Sequence, residues 1–421
     1  MANSLITPQY IAAKTLQVAH NKSRMIKMIN SDYRDDFAKR GAKAGKTIDI
    51  RLPNSYTVRN GPVVNLQDTT ERYVPLTIQP EFGVDIPFDD IDMILTIDDF
   101  TNRYIVPAGK RLATELDIRI SSMFKQVAQQ VGTPNAPPTT VQAMQDLWLQ
   151  AGEKLDNSAA PMDEDRFALI GPRANRNVVS YLNLGFNDQN TIGQQYKTGQ
   201  MNDALGFEFA KTQNAPTFIT GAGGGTPLIN GAAQGTPQGA ATANPRSIAG
   251  TTSLATDGWT ASTTVLKAGD SFTIAGVYAL NPESKVILPY LMEFVATADV
   301  TSNGSGVATI VASPELISGG AYQNVSALPA DNAQIVINHG ATANTQYDQS
   351  LAFYKDAFTF VTVDMDLPRG LDMAEKSTYD GVSVRFLRGF DINNNRYVSR
   401  LDVLAGYACL RPDWAVRVFT N

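Results

Sequence analysis

The sequence predicts an α+β chain interrupted by an all-β insertion, and three observations carry that prediction. Apolar residues alternate at period two in Ile48–Leu52 and Val74–Phe88, the signature of half-buried strands. They recur at threes and fours after Thr101 and again after Thr139, the signature of amphipathic helices. From Pro216 to Gln349 the composition shifts to Gly, Ala, Thr and Ser, and after Leu351 the character of the first half returns. A composition that returns marks an insertion, and a surface loop accepts an inserted domain at little cost.

Thr7 followed by Pro8 is a helix N-cap with proline at the first helical position, and Ile11, Val18, Met25 and Ile29 continue the period. A helix is expected over 8–29. No acid precedes Asp32, so Lys14, Lys22, Arg24 and Lys27 give this segment a local positive charge. A solvated helical face explains four such cations more simply than contact with a polyanion or a partner. Next, Ile48, Ile50 and Leu52 read as one strand, and Val74, Leu76, Ile78, Phe82, Val84, Ile86 and Phe88 as strand structure. Between them Asn54 to Tyr73 follow no period, and Gly61-Pro62 marks a turn. Long loops of this kind are usually functional, and this one is expected to project. Its charges include Arg59, Asp68, Glu71 and Arg72.

Asp98 and Asp99 open a segment in which Ala108, Leu112, Leu116, Ile120, Met123, Val127 and Val131 form one stripe. A helix over 101–131 would be roughly 45 Å long and is expected to brace the main sheet. A capping box, Thr139-x-x-Gln142, starts a second helix with Val141, Met144, Trp148, Ala151 and Leu155 on its buried face. Phe167–Ile170 read as a buried strand ended by Gly171-Pro172, and Val178, Val179, Leu182 and Leu184 as a third helix. Within the insertion, strands are expected at Ser271–Ile274, Met292–Ala296, Val307–Val311 and Gln334–Asn338. Its core is expected to draw on Leu266, Phe272, Ile274, Val277, Phe294, Val307, Ile310, Ile335 and Ile337. The part beyond Leu351 supplies strands at Phe358–Val363, Val382–Phe390 and Tyr397–Cys409.

Composition narrows the function. The 421 residues are enough for two or three cores, and 35 Lys and Arg against 41 Asp and Glu give a net charge of -6. No chain-wide positive field exists to hold a polyanion, which disfavours a dedicated DNA binder. The lone Cys409 forbids an intramolecular disulfide, and His20 and His339 are too few for the usual zinc sets. No apolar stretch near the start reads as a signal or spanning segment, so a cytosolic origin is expected.

Candidate motifs fail on spacing. Gly41 to Thr47 has three residues between its glycines where a phosphate loop needs four, and it leads into a strand. Gly221–Gly225 lacks the third glycine of a dinucleotide fingerprint and reads as a flexible linker. Asp85, Asp89, Asp90 and Asp92, like Asp391 with Asn393, Asn394 and Asn395, lack the spacing of an ion loop and are expected to cap and turn. No catalytic constellation, metal set or cofactor site is expected.

Five phrases stand in order: AGDSFTIAGVYALNP (Ala268 to Pro282), FVATADV (Phe294 to Val300), ASPEL (Ala312 to Leu316), YQNVSALPAD (Tyr322 to Asp331) and LAFYKDAF (Leu351 to Phe358). With them the chain resembles the major capsid (coat) proteins of tailed phages, of the podophage family that carries an inserted β-barrel. The resemblance implies the Hong Kong 97 phage capsid fold. It then divides into an N-terminal arm (1–45), an extended loop (46–82) and a peripheral domain with the long spine helix (83–133). The first part of the axial domain (134–215), the inserted barrel (216–349) and a returning axial and peripheral part (350–421) follow.

The implied function is self-assembly of hexamers and pentamers into an icosahedral shell enclosing double-stranded DNA, with scaffolding, portal and decoration proteins as possible partners. The implied location is the virion, and the host cytoplasm during assembly. On this reading Arg59, Asp68, Glu71 and Arg72 are candidates for intersubunit ion pairs. Lys14, Lys22, Arg24 and Lys27 would line the interior, toward scaffold or packaged DNA. Lys-to-Asn crosslinking, known elsewhere in the fold, is not implied, because no motif marks the residues it needs. The alternative is a secreted β-rich adhesin or carbohydrate-binding module, which the lack of a signal argues against.

Overall fold

The computed structural model describes residues 24–33, 47–64, 66, 72–88, 106–163, 165–182, 199, 201, 203–235, 250–338, 344–371, 373–379, 382–392 and 396–420. The chain forms two compact units, one of Met1–Asp49, Pro75–Ser121 and Phe358–Ala408, the other of Ile50–Val74, Ser122–Ala357 and Cys409–Asn421. A two-stranded sheet, Thr47–Leu52 with Arg72–Thr77, carries the excursion that runs from one of its strands to the other, with Ile48, Ile50, Val74 and Leu76 buried.

In the first unit, helix α1 (Val106–Ser121) buries Ala108, Leu112, Leu116 and Ile120, as the stripe predicts. Pro107 is tolerated because the first turn has no intrahelical donor to lose. A four-stranded antiparallel sheet runs in the order Met373–Tyr379, Val382–Asp391, Arg396–Val403, Phe82–Phe88. Its buried face includes Phe386 and Leu401, paired across two strands. The described end of the expected N-terminal helix is different. Met25–Lys27 form a 3-10 turn, and Asn30 then bridges to Thr359, its N–H donating to Phe358 O at 3.2 Å. Pairing of the backbone with a strand ends helical geometry there, while Met25, Ile26, Met28 and Ile29 remain buried. The rest of that helix, with Lys14 and Lys22, lies outside the described residues, as do Asp89, Asp90 and Asp92.

The second unit holds a five-stranded mixed sheet in the order Gln130–Val131, Ala415–Val418, Ser350–Tyr354, Arg166–Ile170, Glu208–Lys211. Its three central strands are buried at every position, and their apolar residues are interrupted by the buried Arg417, Ser350 and Arg166. Helices α2 (Val141–Asn157) and α3 (Pro172–Leu182) pack Met144, Trp148, Ala151, Leu155, Ala174 and Val178 against Ala168, Ile170, Val416 and Val418. Trp148 meets Phe209 edge-on at 4.7 Å. The α2 cap is Thr140, one residue after the expected Thr139, its Oγ1 accepting from Ala143 N at 3.2 Å.

The spine helix also stops short of Val131. After Ser121 a 3-10 turn, Ser122–Gln126, keeps Met123 and Phe124 buried, and Gln130–Val131 join the sheet instead. Arg417 N donates to Gln129 O at 2.9 Å and Phe419 N to Val131 O at 3.0 Å, so pairing with the neighbouring strand claims carbonyls in place of a last helical turn. The apolar spacing survives because a 3-10 turn also returns to the same face every three residues.

The insertion is a closed barrel. Its sheet order is Ile335–Ile337, Ser271–Leu280, Ile287–Ala296, Ala308–Ser313, Thr252–Trp259, Gly225–Ile229. Leu228 bridges to Gln334 and Ile229 N donates to Ala333 O at 3.0 Å, joining the two edges. Leu266, Phe272, Ile274, Val277, Phe294, Ile310 and Ile335 form its core, with Ile337 at the margin. Val307 is the exception and is exposed: the strand starts at Ala308, and Ala308, Ile310 and Ala312 point inward, so Val307 is out of phase by one residue.

Gly221–Gly225 is not a flexible linker. A methyl group on Gly221 would lie 2.4 Å from Val265 O, and on Gly225, at φ +78°, 2.1 Å from Gly258 O. These glycines let backbone approach backbone. The barrel joins its parent through Thr217–Ile219, paired antiparallel with Gln346–Asp348.

Candidate intersubunit surface

The excursion beyond Leu52 buries little of itself. Tyr56, Val58, Val63, Val64 and Leu66 are exposed, Val58 at 94% and Leu66 at 91%. Arg59 holds the turn together, its Nη1 donating to Gly61 O and to Val63 O. Gly61 takes φ +93° with open space around it, so this turn needs glycine for its backbone angle alone. Asp68 and Glu71 lie outside the described residues.

Arg72, where the chain returns, is half-buried, with its guanidinium 4.3 Å from the Tyr322 ring centre. Burial lowers its pKa below the ordinary arginine value, opposed by Tyr322, Asp413 and Glu315. Arg72 borders a cavity of about 210 Å³ lined also by Pro53, Ser55, Tyr322, Arg411 and Asp413. Arg411 stacks on Trp414 at 4.4 Å, and burial pushes the Asp413 carboxyl above its usual range. Of the four loop charges, then, Arg59 points along its own turn and Arg72 onto a ring of its own subunit.

In the first unit a charged cluster was not foreseen. Asp402 is fully buried and accepts from Arg385 Nη2 at 2.8 Å and Arg400 Nε at 2.6 Å. Arg400 Nη2 also donates to Glu81 at 2.9 Å, and Asp85, expected to cap or turn, faces Arg400 at 3.7 Å. Gly83 makes room, since a methyl there would sit 2.7 Å from Asp402 Oδ1 and 2.3 Å from Leu401 O. The register that pairs Arg385 with Asp402 and Arg400 with Asp85 builds this cluster, and nothing in the linear sequence brings these residues together. Of the arm cations, Arg24 and Lys27 are exposed around the docked turn.

Among the described residues no group of three or more His, Cys, Asp or Glu is placed to hold a metal, and no helix is long and apolar enough to cross a membrane. Cys409 is buried, and desolvation pushes its thiol far above the ordinary range, away from thiolate reactivity.

The loop thus carries apolar side chains into solvent, and the barrel is held on a paired stalk. The profile of the family described as P22 coat protein, gene protein 5, matches residues 42–419, and the chain belongs to that family. The fold class expected from the resemblance, α+β of the Hong Kong 97 kind, goes with that membership. A "Major capsid protein" of Acyrthosiphon pisum secondary endosymbiont phage 1 is 30% identical over 165 residues, 37% of this chain and 38% of that protein. The match thus spans less than two fifths of that curated relative. A solved chain titled "Mycobacterium phage Che8" is 12% identical with a TM-score of 0.47, covering 94% of this chain and 90% of the other. The "CUS-3 coat protein I-domain" is 23% identical with a TM-score of 0.20, covering 27% of this chain and 96% of that domain.

Proposed function

We propose that the protein is a major capsid subunit that self-assembles, as hexamers and pentamers, into the icosahedral shell of a tailed bacteriophage and encloses its double-stranded DNA. The observation that carries this reading is the family match over residues 42–419. The role is structural rather than catalytic. Copies meet by heterologous contacts, one surface of a subunit on a different surface of the next, which close into rings. The exposed apolar loop is one such surface, with Arg59, Asp68, Glu71 and Arg72 supplying ion pairs along it. Arg24 and Lys27, with Lys14 and Lys22, face the interior toward scaffold or DNA, and the inserted barrel (216–349) faces outward among its neighbours. Scaffolding, portal and decoration proteins are the partners this role calls for, first in the host cytoplasm and then in the virion.

Electron microscopy and sizing chromatography of the full chain, alone and with its scaffold, test the reading. Closed shells are expected, and persistent monomer under both conditions overturns it. Neutralising Lys14, Lys22, Arg24 and Lys27 together is expected to lower scaffold-dependent yield or DNA retention in a salt-sensitive way. Equal packaging at every salt concentration returns the arm to a solvated face.

A further inference from the structure

A barrel attached by two paired strands alone would be free to tilt, yet this one is held at a second place by buried polar groups. Arg417, in the strand Ala415–Val418, is 1% exposed. Its Nε donates to Val127 O and its Nη1 to Gly269 O, both at 2.7 Å. Gly269 lies in the turn just before the barrel strand Ser271–Leu280, at φ +104°, where a methyl would come within 3.0 Å of Lys125 Cγ. The turn is drawn against the core as closely as glycine allows. Next to it, Asp270 Oδ2 accepts from Lys267 N at 2.7 Å and from Gly221 N at 2.8 Å, tying the turn to the end of the stalk.

A second set of bonds reaches the next barrel strand. Gln130, opposite Arg417 in the sheet, donates its N–H to Glu293 Oε2 at 3.0 Å and accepts from Ser271 Oγ at 2.5 Å. Lys154 Nζ, on α2, donates to Gln130 O at 2.6 Å and to Glu293 Oε2 at 2.8 Å. Arg417 and Lys154 from the core therefore face Asp270 and Glu293 from the barrel, Arg417 and Asp270 buried and the Lys154–Glu293 pair mostly so, at 16% and 12% exposure. Breaking a buried charge set by removing one member leaves the others uncompensated, which makes such a set all-or-none in character.

We infer that Arg417 is a positioning residue that makes seating of the inserted barrel conditional on completion of the core sheet. The barrel closes its own hydrogen bonds and needs nothing from Ala415–Val418 to fold. Its docking turn does, because the guanidinium that holds Gly269 O arrives on a strand that follows the barrel in the chain. That strand delivers Arg417 only after pairing between Gln130–Val131 and Ser350–Tyr354. A chain whose core has not closed thus carries a folded but unseated barrel. The inference concerns the single subunit and does not rest on the shell reading.

Hydrogen exchange on the full-length chain tests it, with Arg417→Met and Arg417→Lys. In the Met variant, exchange at Gly221, Gly269 and Gln130 is expected to rise by about tenfold or more, while barrel amides such as Phe272 and Phe294 stay protected. The Lys variant, with a point charge for the fork, is expected to fall between. Unchanged protection at the turn and stalk in the Met variant overturns the inference. Should that variant fail to fold, Ser271→Ala with Glu293→Gln unseats the barrel from its own side and leaves the strand intact. Loss of protection confined to the turn and stalk then supports the latch, whereas uniform loss across core and barrel overturns it in favour of general destabilisation.

Discussion

Two segments leave this chain's framework between paired strands, and they solve the problem of apolar side chains in opposite ways. The inserted barrel joins its edges to each other and turns Phe272, Ile274, Phe294 and Ile310 inward, to exposures near zero. The excursion from Pro53 carries Tyr56, Val58, Val63, Val64 and Leu66, and leaves all five in water. Both have strands at the base, turn residues and few charges. The difference is closure: strands that pair around a circle make an inside, whereas a single loop has none to offer. Large exposed apolar surface often marks where another surface docks, and on the proposed reading the two segments would divide the labour of stability and association.

The largest expected effect tests the barrel side of this contrast. Phe294→Ala removes a fully buried ring that packs on Phe272 at 5.9 Å, and it is expected to lower barrel stability by about 3–5 kcal/mol. Thermal unfolding of the isolated 216–349 fragment, which is expected to melt cooperatively, reads that loss directly. A fragment with collapsed, poorly dispersed amide resonances would show that the barrel depends on its parent to fold.

How far each region could be foreseen follows from the same contrast. Ser271–Ile274 and Met292–Ala296 announce themselves by alternation, and both are strands. Thr252–Trp259 does not, because Thr252 and Thr256 occupy inward positions on either side of Leu254. Thr256 Oγ1 donates to Ala308 O at 2.8 Å and accepts from Trp259 Nε1 at 2.8 Å, so polar side chains sit inside fully bonded and spoil the period. The end of the spine helix was hidden because threes and fours suit a 3-10 turn as well. On the side of association, the excursion was legible as an absence of pattern, but the destination of Arg72 on Tyr322 was not. The Arg385–Asp402–Arg400 cluster was equally invisible, since it exists only once strand register is set.

The next effect in size bears on the barrel's root. Gly221→Ala is expected to destabilise by about 1–3 kcal/mol, because the new methyl meets Val265 O at 2.4 Å, and backbone cannot step aside as a side chain can. Gly61→Ala in the excursion meets nothing within 4 Å and bears only the strain of φ +93°. Denaturant midpoints of the two variants compare them, and equal losses would remove the distinction between a packed root and an open tip.

A smaller effect appears against pH. Burial raises the folded-state pKa of Glu293 above its ordinary 4.5, against the opposing pull of Lys154. The folded protein therefore binds this proton more tightly than the unfolded chain does. Between 4.5 and the raised value, stability falls as pH rises, and the contribution levels off outside that window. Glu293→Gln is expected to flatten this part of the stability curve, read as the melting temperature at a series of pH values. An unchanged slope would assign it to other groups.

The smallest effect belongs to the loop. Arg59 is exposed and its described bonds go to carbonyls of its own turn, so Arg59→Ala is expected to change monomer stability by no more than about 0.5 kcal/mol. An exposed ion pair across an interface is worth only about 0–1 kcal/mol, and salt weakens it further. On the proposed intersubunit role every subunit would repeat that contact, so a deficit too small to see in a melt is expected to emerge as a raised critical concentration for assembly, growing when Val63→Ser and Val64→Ser are added. Light scattering across a concentration series at two salt levels separates the parts: the Arg59 share fades at high salt and the valine share persists. If all three substitutions leave both the melt and the assembly threshold unchanged, the exposed apolar loop is a surface feature without a counterpart, and the contrast with the barrel reduces to one of folding alone.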